Sequence, residues 1–321
     1  MTDIASRGID HGNPADAEAS PAASPAGVHI RHLRTHDDFL ACVALQDETW
    51  GAGFSERVPM AILKVSQRIG GVTAGAFDAA GRLVGFVFGM TGVERGRLVH
   101  WSDMLAVRPE WRDHGIGRRL KEFQRDTLVQ RGVEVIYWTY DPLVARNAHL
   151  NFNQLGVQVV EYVIDMYGGD TDSALHRGIG SDRFVVAWHI GEQSSRAADA
   201  STADARAHSD SGVWTPDPTA RDARILDASD DRGVPAIPQL PQGPAESVLR
   251  VEIPLEIDRI QATSLPDAAR WRAATRAAFT WALHNGYRVD GFYREPHAER
   301  GLYVLSRTPA SGESTRAAGA P

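Results

Sequence analysis

The chain has 321 residues, of which 43% are hydrophobic, and a formal net charge of −7 at pH 7. This length predicts one or two domains, and the hydrophobic share is sufficient for a buried core. The acidic balance argues against a nucleic acid as the main partner. Cys42 is the only cysteine, which excludes an intramolecular disulfide and a cysteine-based metal cluster.

Membrane and export signals are missing from the sequence. No stretch approaches the roughly 20 apolar residues that a membrane-spanning helix needs. The N-terminus has neither the basic start nor the apolar core of a secretory signal, so we expect a cytoplasmic protein without a membrane partner. The 12 histidines show no ligand spacing, and we therefore expect no metal site.

Three polar segments frame the parts that should fold. Residues 1–27, 191–246 and 308–321 are rich in small, polar and proline residues. Such segments cannot bury enough apolar surface to offset the entropy lost on ordering, so they are predicted to be a disordered tail, a linker and a second tail. The folded parts are then a main domain at 28–190 and an accessory unit at 247–307.

The main domain opens with a strand, two helices and a hairpin. Alternation of apolar and polar residues predicts a strand at 28–33. Helices are expected at 35–50, after the capping residue Thr35, and at 60–68, after Pro59. Strands at 72–77 and 82–90 are then joined by a short turn.

The most informative stretch follows at 98–130. An apolar strand, 101–107, ends at Pro109, and Gly115 and Gly117 then open a helix with apolar residues at helical spacing. A strand, a glycine turn and a helix start make an anion site, because free backbone N–H groups and the positive helix end face one point. Positive charge surrounds this point, supplied by Arg112, Arg118 and Arg119. A glycine pair at such a turn is also compatible with tight packing alone.

The domain closes with further alternating elements. A strand at 133–139, a helix at 144–155 ended by Gly156, and strands at 157–167 and 184–190 are predicted. The element order is therefore β-α-α-β-β-β-α-β-α-β-β.

The motif Leu105-Ala106-Val107, Pro109, Arg112-x-x-Gly115-x-Gly117, with Leu120 behind it, resembles the acetyl-CoA motif of the GNAT N-acetyltransferase superfamily. The resemblance covers roughly 28–190. It implies an α/β (α+β) fold with a mixed, mostly antiparallel central sheet and two splayed parallel strands. It also implies direct attack of an amine on the thioester of acetyl-CoA.

The same resemblance implies which residues hold the acetyl-CoA cosubstrate. Backbone groups of the first splayed strand bind the pantetheine arm, at Leu105, Ala106 and Val107. The turn binds the pyrophosphate through Arg112, Asp113, His114, Gly115, Ile116 and Gly117, together with Arg118. Asn147 matches a family asparagine that contacts the pantetheine.

An amine nucleophile must lose a proton, which calls for a base. The two-residue period of a strand predicts that Trp101, Asp103 and Leu105 share one face, and Asp103 is the ionisable residue among them. Asp103 is therefore the first candidate, against the alternative of a surface carboxylate or a salt bridge. Glu48 is a second candidate, and water relayed through backbone carbonyls is a third possibility.

The general acid departs from the family pattern. Many GNAT enzymes have a tyrosine four residues before the glycine that ends the asparagine-containing helix, and here that position is Phe152. Tyr140 is the candidate substitute, with Asp141 and His149 as nearby polar groups. A transferase can also work without the acid, because a CoA thiolate is a tolerable leaving group.

The accessory unit repeats an earlier arrangement. A strand at 248–253, a helix at 266–285 and strands at 287–294 and 301–306 are predicted. The unit is either a degenerate half of a GNAT-like domain, packed on the main domain or extending its sheet, or a small α+β subdomain. It has no second glycine turn, so we expect no second CoA site.

These features predict an acyl-CoA-dependent N-acyltransferase that acts on a small-molecule or protein amine. The first alternative is a GNAT-like regulatory module that binds CoA with little or no turnover, which Phe152 favours. A second alternative is a scaffold whose cleft is filled by its own tail, with the unit at 248–306 as a partner surface. A homodimer is compatible with the sequence, which does not identify the acceptor.

Overall fold

The computed structural model describes residues 27–168, 178–191, 218–230, 233–235, 238, 240–243, 246–295 and 299–307. The predicted tails, 1–27 and 308–321, lie outside these residues apart from Gly27. Most of the predicted linker, 191–246, lies outside them as well. Among the residues described, no helix is both long enough and apolar enough to cross a membrane.

The main domain has the predicted element order. Its first half comprises β1 (His29–His32), α1 (His36–Trp50), α2 (Met60–Arg68), β2 (Val72–Phe77), β3 (Leu83–Glu94) and β4 (Arg97–Val107). Its second half comprises α3 (Ile116–Val129), β5 (Val135–Tyr140), α4 (Ala145–Ala148), a π-helical continuation (His149–Leu155), β6 (Gln158–Val163) and β7 (Arg183–His189). Local signals set several of these bounds: Thr35 and Asp38 form a capping box at the start of α1.

One seven-stranded sheet forms the centre of this domain, in the order β1-β2-β3-β4-β5-β7-β6. Neighbouring strands are antiparallel except β4 and β5, which run parallel. The predicted mixed, mostly antiparallel sheet with a parallel pair is therefore confirmed. Apolar residues of α1 and α2 pack on one face of the sheet, and those of α3 pack on the other.

A second, three-stranded antiparallel sheet belongs to the C-terminal unit, in the order β8-β10-β9. The unit comprises α5 (Pro218–Asp222), β8 (Val248–Pro254), α6 (Ile257–Thr263), α7 (Leu265–His284), β9 (Arg288–Arg294) and β10 (Arg300–Ser306). Trp271 and Phe279 of α7 join Phe184 of β7 in one hydrophobic cluster. The unit thus packs on the main domain and keeps its own sheet.

The structure differs from the sequence expectation at the edge of this unit. Helix α6 was not predicted. Within the predicted linker, α5 forms, Ile225 bridges to Arg250 of β8 and Leu226 is buried. Ile225 and Leu226 stand in a polar segment with too few apolar residues to show a periodic pattern. They are ordered because the open edge of β8 pairs with this segment.

Candidate active site

A cleft opens where β4 and β5 part. The two strands are paired only at Val99–Trp101, opposite Val135–Tyr137. Beyond Trp101 and Tyr137 no ladder partner joins them, although both strands continue for several residues. The backbone groups that face the gap are therefore available to a ligand. The predicted pantetheine-binding residues, 105–107, lie on the β4 side of this gap.

The glycine turn forms an anion cradle at the same end of β4. Asp113 and Gly115 both adopt left-handed backbone conformations, with φ of 61° and 71°. Gly115 precedes the first residue of α3 and no side chain caps the helix, so the first N–H groups of α3 point outward unpaired. Alternating helical and left-handed residues with free N–H groups bind anions.

Space at the two glycines is open. A Cβ at Gly115 would meet no atom within 4 Å, and a Cβ at Gly117 would meet only the side chain of Leu105, at 3.9 Å. Tight packing therefore does not explain the glycine pair. The turn instead leaves room for a ligand directly in front of the helix start, which fits the phosphates of a CoA molecule.

The predicted arginines have different positions around this cradle. Arg112 is exposed and its Nε donates to the Val107 carbonyl over 3.2 Å, which holds it across the end of β4. Arg118 is paired with Glu122 over 2.8 Å on the helix surface. Arg119 donates to the Val28 carbonyl over 2.8 Å, away from the turn. His114 Nδ1 lies 2.6 Å from the Arg112 carbonyl oxygen within the turn.

A β-bulge changes the faces of β4. Gly89 of β3 pairs with Ser102 and Phe88 pairs with Met104, so Asp103 is an extra residue without a partner on β3. Ser102 contacts α3, whereas Met104 packs with the residues of α1. Leu105 returns to the α3 side.

The prediction that Trp101, Asp103 and Leu105 share one face is therefore wrong for Leu105. The bulge shifts the two-residue period by one position, and the sequence gives no sign of it. Asp103 and Trp101 do interact with each other. The base candidate consequently faces away from the helix that carries the cradle.

Asp103 lies in a partly desolvated position. The residue is exposed, yet the protein around the carboxyl group displaces part of its water. This burial, together with the nearby Glu56 carboxylate, raises the pKa of Asp103, while a hydrogen bond with Trp101 opposes the shift. A carboxylate with a raised pKa is a stronger proton acceptor, which suits a general base.

Glu48, the second candidate, is engaged by Arg108. Arg108 Nη1 and Nη2 both donate to its carboxylate, the latter over 3.3 Å, and Arg108 Nε donates to the Leu83 carbonyl. This bidentate pair ties the end of α1 to the end of β4. The arrangement supports a structural role for Glu48.

The candidate acids lie away from the cleft surface. Tyr140 is buried, its hydroxyl is 3.4 Å from that of Tyr303, and burial raises its pKa. Asp141 is buried in an ion pair with Arg272. Burial and Arg294 lower the pKa of the half-buried His149. These positions do not support Tyr140 or its neighbours as proton donors.

The remaining predicted residues lie on the second side of the cleft. Asn147 is half-buried on α4, just beyond the end of β5. Phe152 is buried, and its ring meets that of Tyr303 edge-on with 5.8 Å between centroids. In the part of the chain with described coordinates, no three His, Cys, Asp or Glu side chains form a group that could hold a metal ion.

One buried residue at the cleft was missed from the sequence. Lys121 of α3 is only 3% exposed and its Nζ donates to Ser102 Oγ over 2.8 Å. This lysine was not among the residues predicted from the sequence. A signal was available, since Lys64 and Lys121 are the only lysines in a chain that has 32 arginines.

Comparisons with known proteins give distant structural likenesses. No curated protein matches the chain significantly. A phosphinothricin acetyltransferase from Sinorhizobium meliloti, solved with acetyl-CoA, is 16% identical, with a TM-score of 0.43 over 52% of this chain and 90% of its own. The ribosomal-protein-S18-alanine N-acetyltransferase from Escherichia coli is 21% identical, with a TM-score of 0.40 over 51% and 94%. These likenesses are too distant to transfer a property to this chain.

The family comparison is more direct. The model of the GNAT acetyltransferase family matches residues 37–153. The matched range runs from α1 to the π-helix and includes the splayed strands, the bulge and the glycine cradle. The likeness to the GNAT acetyltransferase family therefore covers the part of the chain that forms the cleft, 37–153.

Proposed function

We propose that this chain is an acyl-CoA-dependent N-acyltransferase that uses acetyl-CoA and a small-molecule or protein amine. The observation that carries the proposal is the open glycine cradle at the mouth of two splayed parallel strands. The match of 37–153 to the GNAT acetyltransferase family supports the same reaction class.

In this proposal the cosubstrate lies across the cleft. Its phosphates meet the free N–H groups of the turn 112–117, with Arg112 and Arg118 nearby. The pantetheine arm follows the unpaired edge of β4 at 105–107, with Asn147 on the opposite side. Backbone groups thus supply most of the binding, which agrees with the absence of side-chain crowding at Gly115 and Gly117.

The transfer step needs an uncharged amine. Asp103 accepts the proton of the acceptor ammonium, which its raised pKa favours. Glu56 adds a second carboxylate near this point, so a cationic acceptor is attracted to that side of β4. The thiolate leaves without a dedicated acid, in keeping with Phe152 at the tyrosine position.

Acetyl-CoA binding and turnover test the proposal separately. Calorimetry is expected to show a Kd for acetyl-CoA in the micromolar range. An absence of binding at millimolar acetyl-CoA would refute the proposal. A screen of amines for CoA release should then find an acceptor. Asp103→Asn is expected to lower kcat by about 100-fold with an unchanged Kd for acetyl-CoA. Glu134→Gln is the matched control, because it neutralises an exposed carboxylate directly before β5. It should leave both kcat and the Kd for acetyl-CoA unchanged.

The alternative of a CoA-binding regulatory module is favoured by Phe152, which is buried and has no proton to give. It differs in one outcome: acetyl-CoA binds, yet no amine in the screen releases CoA. In that case Asp103→Asn changes neither binding nor turnover.

A further inference from the structure

Lys121 of α3 reaches both strands at the point where they part. Ser102 comes directly after Trp101 and Trp138 directly after Tyr137, which are the last residues of β4 and β5 that pair. The Lys121 Nζ donates to Ser102 Oγ over 2.8 Å and lies 3.8 Å from the centroid of the Trp138 ring. Lys121, Ser102 and Trp138 are each no more than 5% exposed, so a ligand in the cleft does not touch them. A role in the reaction must therefore act through a neighbouring residue.

That neighbour is Asp103, the extra residue of the bulge. In a regular strand Ser102 and Met104 would share one face, because side chains alternate with a period of two. Here Lys121 holds Ser102 on the α3 side, whereas Met104 is buried with residues of α1 on the other side. Because these two residues are fixed on opposite faces, Asp103 between them has no place in the regular alternation. Its carboxyl group instead interacts with the side chain of Trp101.

The neighbouring strand β3 sets where the bulge lies. Gly89 is opposite Ser102, and a Cβ there would lie 2.9 Å from Ser102 Cα and 2.5 Å from the Trp101 carbonyl oxygen. Such a close approach of two backbones requires glycine. Ser66 Oγ also donates to the Gly89 carbonyl over 2.8 Å, which holds β3 in place. These contacts fix the position of the bulge, while Lys121 and Met104 decide which way the side chains point.

The residue type fits this site. The chain has 32 arginines and only two lysines, Lys121 and the exposed Lys64. Among the described residues, the Lys121 amine meets one hydrogen-bond acceptor, Ser102 Oγ, and one ring face. Burial lowers the pKa of Lys121 well below its usual value, so the amine can lose its charge. An arginine would keep its charge and bring five donors that need acceptors.

We propose that Lys121 is a positioning residue, which acts through Ser102 to hold the Asp103 carboxyl on the side of β4 that faces away from α3. The use of Asp103 as the base rests on the proposed function, whereas the direction of its side chain does not. When Lys121 no longer holds Ser102, regular alternation back from Met104 turns Asp103 towards α3. The carboxyl group then leaves Trp101 and the side on which the acceptor amine binds.

The titration of Asp103 tests this role without acetyl-CoA. NMR of the isotope-labelled full-length chain observes the Trp101 indole N–H, whose resonance is assigned from its loss in Trp101→Phe. The resonance should shift with pH as Asp103 titrates, and Asp103→Asn should abolish the shift. Lys121→Met and Ser102→Ala should each abolish it as well, because the carboxyl group has left the indole.

Matched controls separate positioning from folding. Gln124→Met removes another buried contact between α3 and β4, in which Gln124 Nε2 lies 3.1 Å from His100 Nε2. His100 belongs to the part of β4 that still pairs with β5. This variant should lose stability and keep the pH-dependent shift. Ser102→Thr retains a hydroxyl for Lys121 and should keep it too, and Ser102→Ala decides the matter if Lys121→Met does not fold.

Turnover gives a second readout once the amine screen has found an acceptor. Lys121→Met should lower kcat by about 10- to 100-fold, up to the usual contribution of a general base, with the Kd for acetyl-CoA changed less than a few-fold. The double variant Lys121→Met with Asp103→Asn should be no slower than Asp103→Asn alone, because both changes remove the same base. Gln124→Met should leave kcat unchanged.

The outcomes distinguish the two proposals. A Trp101 resonance that does not titrate in the unmodified chain overturns the positioning role, as does a shift that survives in Lys121→Met or Ser102→Ala, or one that Gln124→Met also abolishes. Additive losses of kcat in the double variant overturn it too. A shift lost only in Lys121→Met and Ser102→Ala, in a chain that binds no acetyl-CoA, supports the positioning role and defeats the proposed function.

Discussion

The two sides of the cleft are built in different ways. The first side, β4 with its turn and the start of α3, is contiguous in the chain, and its binding groups are backbone N–H groups of 112–117. The second side, the end of β5 with α4, is held by residues more than a hundred positions away. Several contacts reach it from the C-terminal unit. Among them, Tyr303 Oη donates to the Pro142 carbonyl over 2.7 Å, Arg272 pairs with Asp141 over 2.5 Å, and Asp258 pairs with Arg146 over 3.0 Å.

This difference gives the C-terminal unit a role in the cleft. Asp141 stands at the turn from β5 to α4, where its Oδ1 accepts from the Leu143 N–H over 2.9 Å. Burial alone would raise the pKa of Asp141, but Arg272 and Arg183 lower it below its ordinary value. The unit therefore fixes the segment that carries Asn147, whereas the first side fixes itself.

The largest effect is expected when the buried ion pair is broken. Arg272→Met leaves the buried Asp141 carboxylate without its main countercharge, so the free energy of unfolding should fall by about 3–5 kcal/mol. Chemical denaturation measures this loss. Arg270→Met, on the exposed side of the same helix, should change it by less than about 0.5 kcal/mol.

A double variant identifies the cause. Adding Asp141→Asn to Arg272→Met removes the uncompensated charge and should restore part of the stability. If Arg272→Met alone has no greater effect than Arg270→Met, the second side does not depend on this pair.

The first side is tested by a charge in the cradle. Gly117→Glu has room for its side chain, because a Cβ there meets only Leu105 at 3.9 Å, but it places a carboxylate where the phosphates bind. Acetyl-CoA affinity should fall about 100-fold, which corresponds to about 2.7 kcal/mol. Calorimetry measures the affinity, and thermal unfolding should be nearly unchanged.

Gly92→Glu is the matched control, since an added Cβ there meets no atom within 4 Å and this glycine lies in the β3–β4 hairpin, away from the cradle. Equal loss of affinity in both variants would point to net charge and away from the cradle.

The same contrast explains what the sequence could predict. The element order and the glycine turn follow from local periodicity and turn residues, which act over a few positions. The parallel pair was implied by the resemblance to GNAT enzymes. The fate of Tyr140 could not be predicted, because its partner Tyr303 is 163 positions away. The bulge at Asp103 was equally hidden, since one extra residue moves Leu105 to the other face without altering the residue types.

A buried carboxylate weakens the C-terminal unit at higher pH. Asp227 is 1% exposed, its Oδ1 accepts from the Glu252 N–H over 2.7 Å and its Oδ2 lacks a hydrogen-bond partner. Burial, and then the Glu252 carboxylate, raise its pKa from 3.8 to about 8. The folded state holds this proton where the unfolded state releases it, so stability falls between about pH 4 and pH 8.

Asp227→Asn removes this dependence while its side-chain oxygen still accepts from Glu252. The variant should be about 2 kcal/mol more stable than the unmodified chain at pH 8 and nearly equal at pH 4, after allowance for the unpaired amide. Denaturation at both pH values measures the change. Asp222→Asn, an exposed carboxylate of the same segment, should show no such gain, and an equal gain there would refute the assignment.

The smallest effect concerns a single hydroxyl on the second side. Tyr303→Phe loses the bond to the Pro142 carbonyl and keeps the ring packed on Phe152, so the free energy of unfolding should fall by about 1 kcal/mol. The segment before α4 then loosens, and the KM for acetyl-CoA should rise a few-fold while kcat changes less. Tyr287→Phe removes a similar bond, from a buried hydroxyl to the Glu246 carbonyl, away from the cleft. Because that bond does not hold the second side, Tyr287→Phe should lose similar stability with an unchanged KM. If the KM for acetyl-CoA rises equally in both variants, general loosening of the fold controls binding, and support of the second side does not.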